Sequence, residues 1–543
     1  MLLALSGMAY AGGQIQTQVL YNVGEGRVSE LPSFFFYGDA YPGTSNETPK
    51  AWVKDGQGTA LLKSDVKMYN PLVVREGTFE INGANVSNYS KLNNGTSNLS
   101  VGGNNAHLVL DNANYSQKIE YAENYVSAIA IGTTDGAGKV TLKNGSSLHT
   151  DQFIFAGYKS IGAGYVTSTT VSQQDSSQYS NGIQGRSEIN IESGSTLSAG
   201  TSLQFANVDI NISGAGSELK DNTRGIHNEN SYSWLGCAVD SETTINVTEG
   251  ASLNIQHNLV TGYGKSSTTN ISASGKDSTV KLAGISYLSS YSNGASTNLT
   301  LTEGAKAEVA LVYAGNGTLI TVGDGSSIVA HSSAFPEKDN SLLLYVEQGA
   351  KIANSGIIDL DITVDGGTYI GDGSADQFGG EVFTMLDGAV VEGLTMTSGT
   401  VSISGEVTLT NVTLGTIINP AGLAFYGSTE ALTVYIEQGS IINADELNMG
   451  EGATIAVVLE EGVIYEEGTQ LFTLTGASEE FVNEIASMTT VTWTEDGETK
   501  EAGFGTETGL HSGSISTAVV PEPTTATLSL LALCGLCARR RRK

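Results

Sequence analysis

The residues able to do chemistry in this 543-residue chain are few and scattered. Histidines stand at 107, 149, 227, 257, 331 and 511, and none forms an HxH or HExxH pair or sits beside paired cysteines, so no metal centre is expected. Ser and Asp are plentiful, which leaves a Ser-His-Asp assembly open, although no G-x-S-x-G elbow precedes a helix. Arg224, His227, Trp234 and Asp240 mix catalytic residue types within one loop, whose plainer reading is an ordinary exposed connection. Asp359, Asp361 and Asp365 are spaced by even numbers, so one extended strand would turn all three to the same side and offer oxygen ligands to Ca²⁺, with Asp372 and Asp376 nearby. Neither the Gly-Gly-x-Gly-x-Asp nonapeptide nor an EF-hand loop is present, and no metal or other cofactor is expected. Gly371-Asp372-Gly373 reads as turn chemistry, not as a phosphate loop.

The elements that must position these residues are strands. Gly at 67 positions, only 8 Pro, 15% charged and 39% hydrophobic residues describe a β-rich chain with many turns and enough apolar mass for a core. Aligned on a turn glycine, apolar residues recur five and three positions before it and three after. The clearest copies run from Val140 to Leu148 around Gly145 and from Ile189 to Leu197 around Gly194. Further copies centre on Gly250, Gly304, Gly325, Gly349, Gly388, Gly439 and Gly452. Period-2 alternation puts the first two apolar residues on one strand face, and the third re-enters the same interior after the turn. Successive glycines are 49, 56, 54, 21, 24, 39, 51 and 13 positions apart. The values 21 and 24 suit one solenoid coil, those near 50 suit two, and 13 is too short, so regular winding is expected to end near Gly439 to Gly452. Antiparallel β-sandwiches in series are the competing architecture.

The expected fold is therefore all-β, an elongated parallel β-helix over 71–455, with an N-terminal cap over 12–70 and a small C-terminal β subdomain over 456–518. The cap would hold Phe34, Phe35, Phe36, Tyr37 and Tyr41, and the subdomain one short helix over 478–487. Thr, Ser and Asn fill outward positions, as at Thr297, Asn298, Thr300 and Thr302, and would form exposed polar rows. Loops 168–187 and 220–242 interrupt the repeat and are the first place to seek a binding site. Cys237 is the only cysteine before the final segment, so no disulfide forms within the body of the chain, and a small buried residue is the expected role. A formal charge of −31 argues against nucleic acid and anionic lipid as partners.

Both termini carry segments of another texture. Met1 to Gly13, MLLALSGMAYAGG, ends with Ala9-Tyr10-Ala11, the small-x-small pattern of a signal peptidase site, so cleavage is expected after Ala11. From 519 to 543 the chain reads VVPEPTTATLSLLALCGLCARRRRK: Pro521, Glu522 and Pro523, then an apolar helix with Leu528, Leu530, Leu531, Leu533 and Leu536, then Arg539, Arg540, Arg541, Arg542 and Lys543. The apolar run is shorter than the roughly 20 residues of a full span and suits a transient stop in the inner membrane, with the basic end held on the cytoplasmic side.

In this order the three parts closely resemble the PEP-CTERM sorting signal of Gram-negative bacteria. The resemblance covers only the tail, and Cys534 and Cys537 depart from its usual small residues. It implies export, recognition at Pro-Glu-Pro by an exosortase-type enzyme, removal of the tail, and delivery to the cell surface, outer membrane or extracellular matrix. In texture the repeat resembles autotransporter passenger β-helices, with the sorting tail where a translocator barrel would follow. The expected function is a non-enzymatic, adhesin-like surface or matrix protein, with glycans or extracellular polysaccharide as candidate ligands. A β-helix polysaccharide lyase or glycoside hydrolase is the alternative, and an ice-binding protein the third reading.

Overall fold

The computed structural model describes residues 18–32, 51–89, 99–118, 128–132, 136–157, 185–221, 232–289, 294–331, 343–374, 377–414, 432–437, 440–449, 453–458, 470–475, 485, 489–495, 498–502 and 514–516. Every element of two or more residues among them is a strand, and Ile485 is the one helical residue. The chain divides into two compact units, 1–340 and 341–543.

In the first unit each turn of chain passes through three ladders, and every strand pairing within this unit is parallel. The first ladder includes Gln18–Asn22, Ala51–Asp55, Ala128–Ile131, Phe153–Ala156, Ser202–Phe205, Tyr232–Leu235 and Asn258–Thr261. The second runs through Lys139–Lys143, Ser187–Glu192, Val208–Ser213, Glu242–Thr248, Thr268–Ser274, Ser296–Thr302 and Thr318–Val322. The third runs through Asn85–Asn88, Asn114–Gln117, Ser147–Thr150, Thr196–Ala199, Glu218–Asp221 and Ser252–Ile255. Long strands such as Leu72–Asn82 serve two ladders in one coil. This is the parallel, unclosed sheet of a β-helix, and series of antiparallel sandwiches do not describe it.

Alternation decides what faces in. Val140, Ile189, Ile210, Ile245, Ile271, Leu299 and Ile320 are register partners in one buried column, and Leu148, Leu197, Leu219 and Leu253 form another. The turn glycines mark one corner, between the second and third ladders, where Gly145, Gly194, Gly250 and Gly304 all have positive φ.

Buried serines knit this corner from coil to coil. The amide of Ala113 donates to Ser146 Oγ at 3.1 Å, that of Ser146 to Ser195 Oγ at 3.1 Å, and that of Gly194 to Ser217 Oγ at 3.0 Å. Gly250 donates to Ser278 and Gly304 to Ser326 in the same way. A buried Ser at the turn of one coil is thus an acceptor for an amide at the turn of a neighbouring coil. Ser195→Ala should cost about 1–3 kcal/mol, because it strands the buried Ser146 amide; urea unfolding checks it.

Spacing near 50 has two different causes. Gly194 to Gly250 and Gly250 to Gly304 each span two coils, with Val208–Ser213 and Thr268–Ser274 between. Gly145 to Gly194 is a single coil: Lys139 pairs directly with Glu188, 49 positions on, and the extra length after Phe153–Ala156 lies outside the described residues. The winding also begins before the first legible copy. Strands Gln18–Asn22, Val28–Leu31, Ala51–Asp55 and Thr59–Leu62, in the stretch assigned to a cap, already pair in parallel with their neighbours. Phe34 to Tyr37 and Tyr41 lie outside the described residues.

In the second unit Leu343–Glu347, Asp361–Asp365, Val382–Leu386, Gly399–Ile403, Leu432–Glu437, Ala453–Val458 and Thr489–Glu495 form one parallel ladder. Winding therefore continues past Gly452, where its end was expected. Leu447 and Met449 pair with Val412 and Leu414 on another ladder, so this copy is not in step with the others and its short spacing is no sign of an ending; Gly452 itself lies outside the described residues. Apart from one isolated bridge, Glu347 with Gly366, antiparallel pairing among the described residues is confined to the last strands, Thr489–Glu495 with Glu498–Ala502 and Gln470–Thr475 with Ser514–Ser516. Apart from Ile485, the helix expected over 478–487 lies outside the described residues, as do the signal segment with Ala9 and Ala11 and the whole tail 519–543. Among the described residues no helix is long and apolar enough to cross a membrane.

Candidate functional site on the third ladder

The third ladder of the first unit turns its even-spaced residues outward. In Ser147–Thr150, Leu148 and Thr150 are buried, which leaves His149 on the outer side. One coil later His149 has Ser198 as its register partner, and Ser198 has Lys220 on its other side. His149 Nδ1 lies 2.8 Å from Ser198 Oγ, and its Nε2 lies 3.3 Å from Asp151 Oδ1. The imidazole is thus the middle member of a Ser-His-Asp chain. With Nε2 protonated towards Asp151, Nδ1 accepts the Ser198 hydroxyl proton. The His149 and Asp151 side chains are 30% and 18% exposed, and Ser198 is 4% exposed. Lys220 Nζ donates to Glu218 Oε2 at 2.6 Å, and Glu218 Oε1 also accepts from Asn254 Nδ2 at 3.0 Å.

A second Ser, His and Asp meet nearby in a different order. Asp221 is fully buried and central: its Oδ2 accepts from Ser233 Oγ at 2.6 Å and lies 3.2 Å from His257 Nδ1, and its Oδ1 accepts the Gln256 amide. Serine here donates to the carboxylate and not to the imidazole, so the order is His-Asp-Ser. This cluster ties the Glu218–Asp221 strand to its neighbours.

The outward face of the second ladder has another character. Thr244, Asn246 and Thr248 stack on Asn270, Ser272 and Ser274, and these on Asn298, Thr300 and Thr302, nine positions without a charge. Asn298 Nδ2 donates to Asn270 Oδ1 at 2.8 Å and Ser272 Oγ to Asn246 Oδ1 at 2.8 Å. Asn246, Asn211 and Asn190 continue as an amide ladder at 3.0 Å per step. Thr297, expected among the outward residues, points in instead: it is fully buried, and its hydroxyl meets those of Thr261 and Ser289 at 2.7 Å. It is two positions from the inward Leu299, so alternation requires this.

At the upper end of the same ladder, His107 meets Thr141 Oγ1 at 3.0 Å. Burial first, and then the Lys139 charge, pull its imidazole from 6.5 down to about 4. The unfolded chain therefore binds a proton there that the folded chain refuses. Stability is intact above pH 6.5 and falls as pH drops through 6.5 towards 4. In urea melts from pH 7 to 4, His107→Gln should lose less stability than the parent.

Among the described residues, the others singled out in the sequence do not converge. Cys237 is buried, and its thiol donates to the Phe205 carbonyl at 2.9 Å. Trp234 lies on Tyr232–Leu235, 9% exposed, edge-on to Tyr263 at 5.0 Å. Asp240 occupies a turn at φ 53°, whereas Arg224 and His227 lie outside the described residues. The one-strand picture of the Asp359, Asp361 and Asp365 set is overturned, because the chain changes ladder at Leu360, between Ile357–Asp359 and Asp361–Asp365. Asp361 Oδ1 accepts the Glu381 and Val382 amides, Asp365 accepts the Tyr345 hydroxyl, and Asp372 accepts the Ser374 amide. Among the described residues no three His, Cys, Asp or Glu side chains are grouped to hold a metal ion. No family model, no curated protein and no solved structure matches this chain.

Proposed function

We propose that this chain is an exported scaffold of the cell surface or extracellular matrix, with an adhesive role towards neutral glycans. The observation that carries the reading is the nine-position polar grid of the second ladder, an uncharged patch on a chain of net charge −31. Coils rise about 4.8 Å apart and outward residues on a strand recur every 6.6–6.8 Å or so, which sets hydroxyl and amide groups at regular intervals. A neutral polysaccharide can exchange hydrogen bonds with such a surface, at whose rim Arg186, Glu242 and Glu303 are hydrogen-bonded to Thr244, Asn270 and Ser274. The Pro521-Glu522-Pro523 tail and the Ala9-x-Ala11 segment support export, with an exosortase-type enzyme as processing partner.

Retention on insoluble neutral polysaccharide tests the surface. The parent should be retained, and Ser272→Lys, which raises a charged side chain from the centre of the grid, should elute early with an unchanged melting curve. Equal retention of both overturns the role of the grid. Thermal hysteresis on the same samples separates an ice-binding use of this surface from a glycan-binding one. Intact mass of protein recovered from the cell envelope tests the sorting, and a full-length C-terminus would sink it.

A further inference from the structure

We infer that Ser198, His149 and Asp151 form an acyl-transfer centre that hydrolyses short O-acyl esters. A serine hydroxyl is a poor nucleophile until a base takes its proton, and the base must be held in one tautomer by a third group. All three relations are present. Ser198 Oγ is 2.8 Å from His149 Nδ1, and the other ring nitrogen is 3.3 Å from Asp151 Oδ1. The two halves come from successive coils, so the ladder register itself brings nucleophile and base together. The nearby Asp221 cluster shows the contrast, with the carboxylate in the middle and the serine bonded to it instead of to the imidazole.

The step balances without a cofactor. Ser198 Oγ attacks the ester carbonyl carbon while its proton passes to His149 Nδ1. The tetrahedral intermediate collapses, the bond to the alkoxy oxygen breaks, and that oxygen leaves as the alcohol with the proton from His149. Water then adds to the acyl-serine, giving its proton to His149, and the carboxylic acid leaves as serine recovers its hydrogen. Thr196–Ala199 pairs with a strand on each side, so its amides are committed to the ladder and an oxyanion must be met by a side chain. Lys220 is the candidate: it is the register partner of Ser198 on the side away from His149, with its ammonium steadied by Glu218. An ester, whose alkoxide leaves more readily than an amine, asks least of such a site.

The test uses the full chain with p-nitrophenyl acetate and a fluorophosphonate probe, and does not depend on glycan binding. The expected results are probe attachment at Ser198, located by peptide mass, and turnover that Ser198→Ala reduces to the buffer rate. His149→Gln should lower kcat by 10²-fold or more and Asp151→Asn by a similar order. Lys220→Gln should lower kcat more than it changes KM. Wild-type turnover at the buffer rate, or labelling elsewhere or nowhere, overturns the inference. So does Ser198→Ala that melts earlier yet turns over like the parent, because a hydrogen bond that only holds two coils together would show that pattern.

Discussion

Ile210→Ala should lower the unfolding free energy of the first unit by about 2–5 kcal/mol, the usual cost of emptying a closed core site. Ile210 is fully buried, with Ile189 and Ile245 as its register partners above and below. Each coil contacts its neighbours and little else, so the damage should stay local. Hydrogen exchange should quicken at 189–191 and 245–247 before it does at 318–322. The adjacent outward change Asn211→Ala removes amide contacts to Asn190 and Asn246 and should cost only about 1 kcal/mol. Equal effects from the two variants, or a uniform rise in exchange across the unit, would contradict this account of the core.

Gly103→Ala is expected to be the harsher of two glycine changes. Gly103 sits at φ +143°, and a Cβ there would lie 2.1 Å from the Arg75 carbonyl oxygen of the previous coil. The loss should be about 3 kcal/mol or more, since unusual φ and a backbone collision add together. Gly145 also has positive φ, +74°, but a Cβ there meets nothing within 4 Å. Gly145→Ala should therefore cost only the left-handed conformation, about 1–2 kcal/mol. Thermal melts of the pair separate a glycine kept for its φ from one kept because two backbones stack directly.

The glycine-centred repeat was legible because one corner uses the same solution in coil after coil: apolar, apolar, Gly, apolar. Coil number was not, because the length of one coil varies: Lys139 and Glu188 are register partners on successive coils although 49 positions apart, whereas Thr297 and Thr318 are 21 apart. Thr297 misled because its hydroxyl joins an internal polar group, so residue type and facing disagree at that position. The early coils escaped notice because glycines such as Gly58 and Gly77 lie on another corner, where close backbone approach demands them and apolar spacing around them differs. The Ser-His-Asp chain had a signal that went unused. Aligning Val140–Leu148 on Ile189–Leu197 sets the next residues, His149 and Ser198, side by side, and Asp151 follows two positions later. Period-2 patterning locates the interior; only stacking one copy on the next reveals what meets on the outside.

The corner serines and the column register make coils interchangeable parts. Thr297 pairs with Thr269 before it and Thr318 after it, so excising residues 297–317 would bring Thr318 onto Thr269, Ile320 onto Ile271 and Val322 onto Ala273, with loss of the buried Thr297 hydroxyl between Thr261 and Ser289. Growth or shrinkage by whole coils therefore keeps the register of these columns, whereas a change of one or two residues within a strand shifts the register of everything after it. Length is the property such a gene can alter most cheaply, by duplication or loss of one coil, and relatives of this chain should differ in reach before they differ in cross-section.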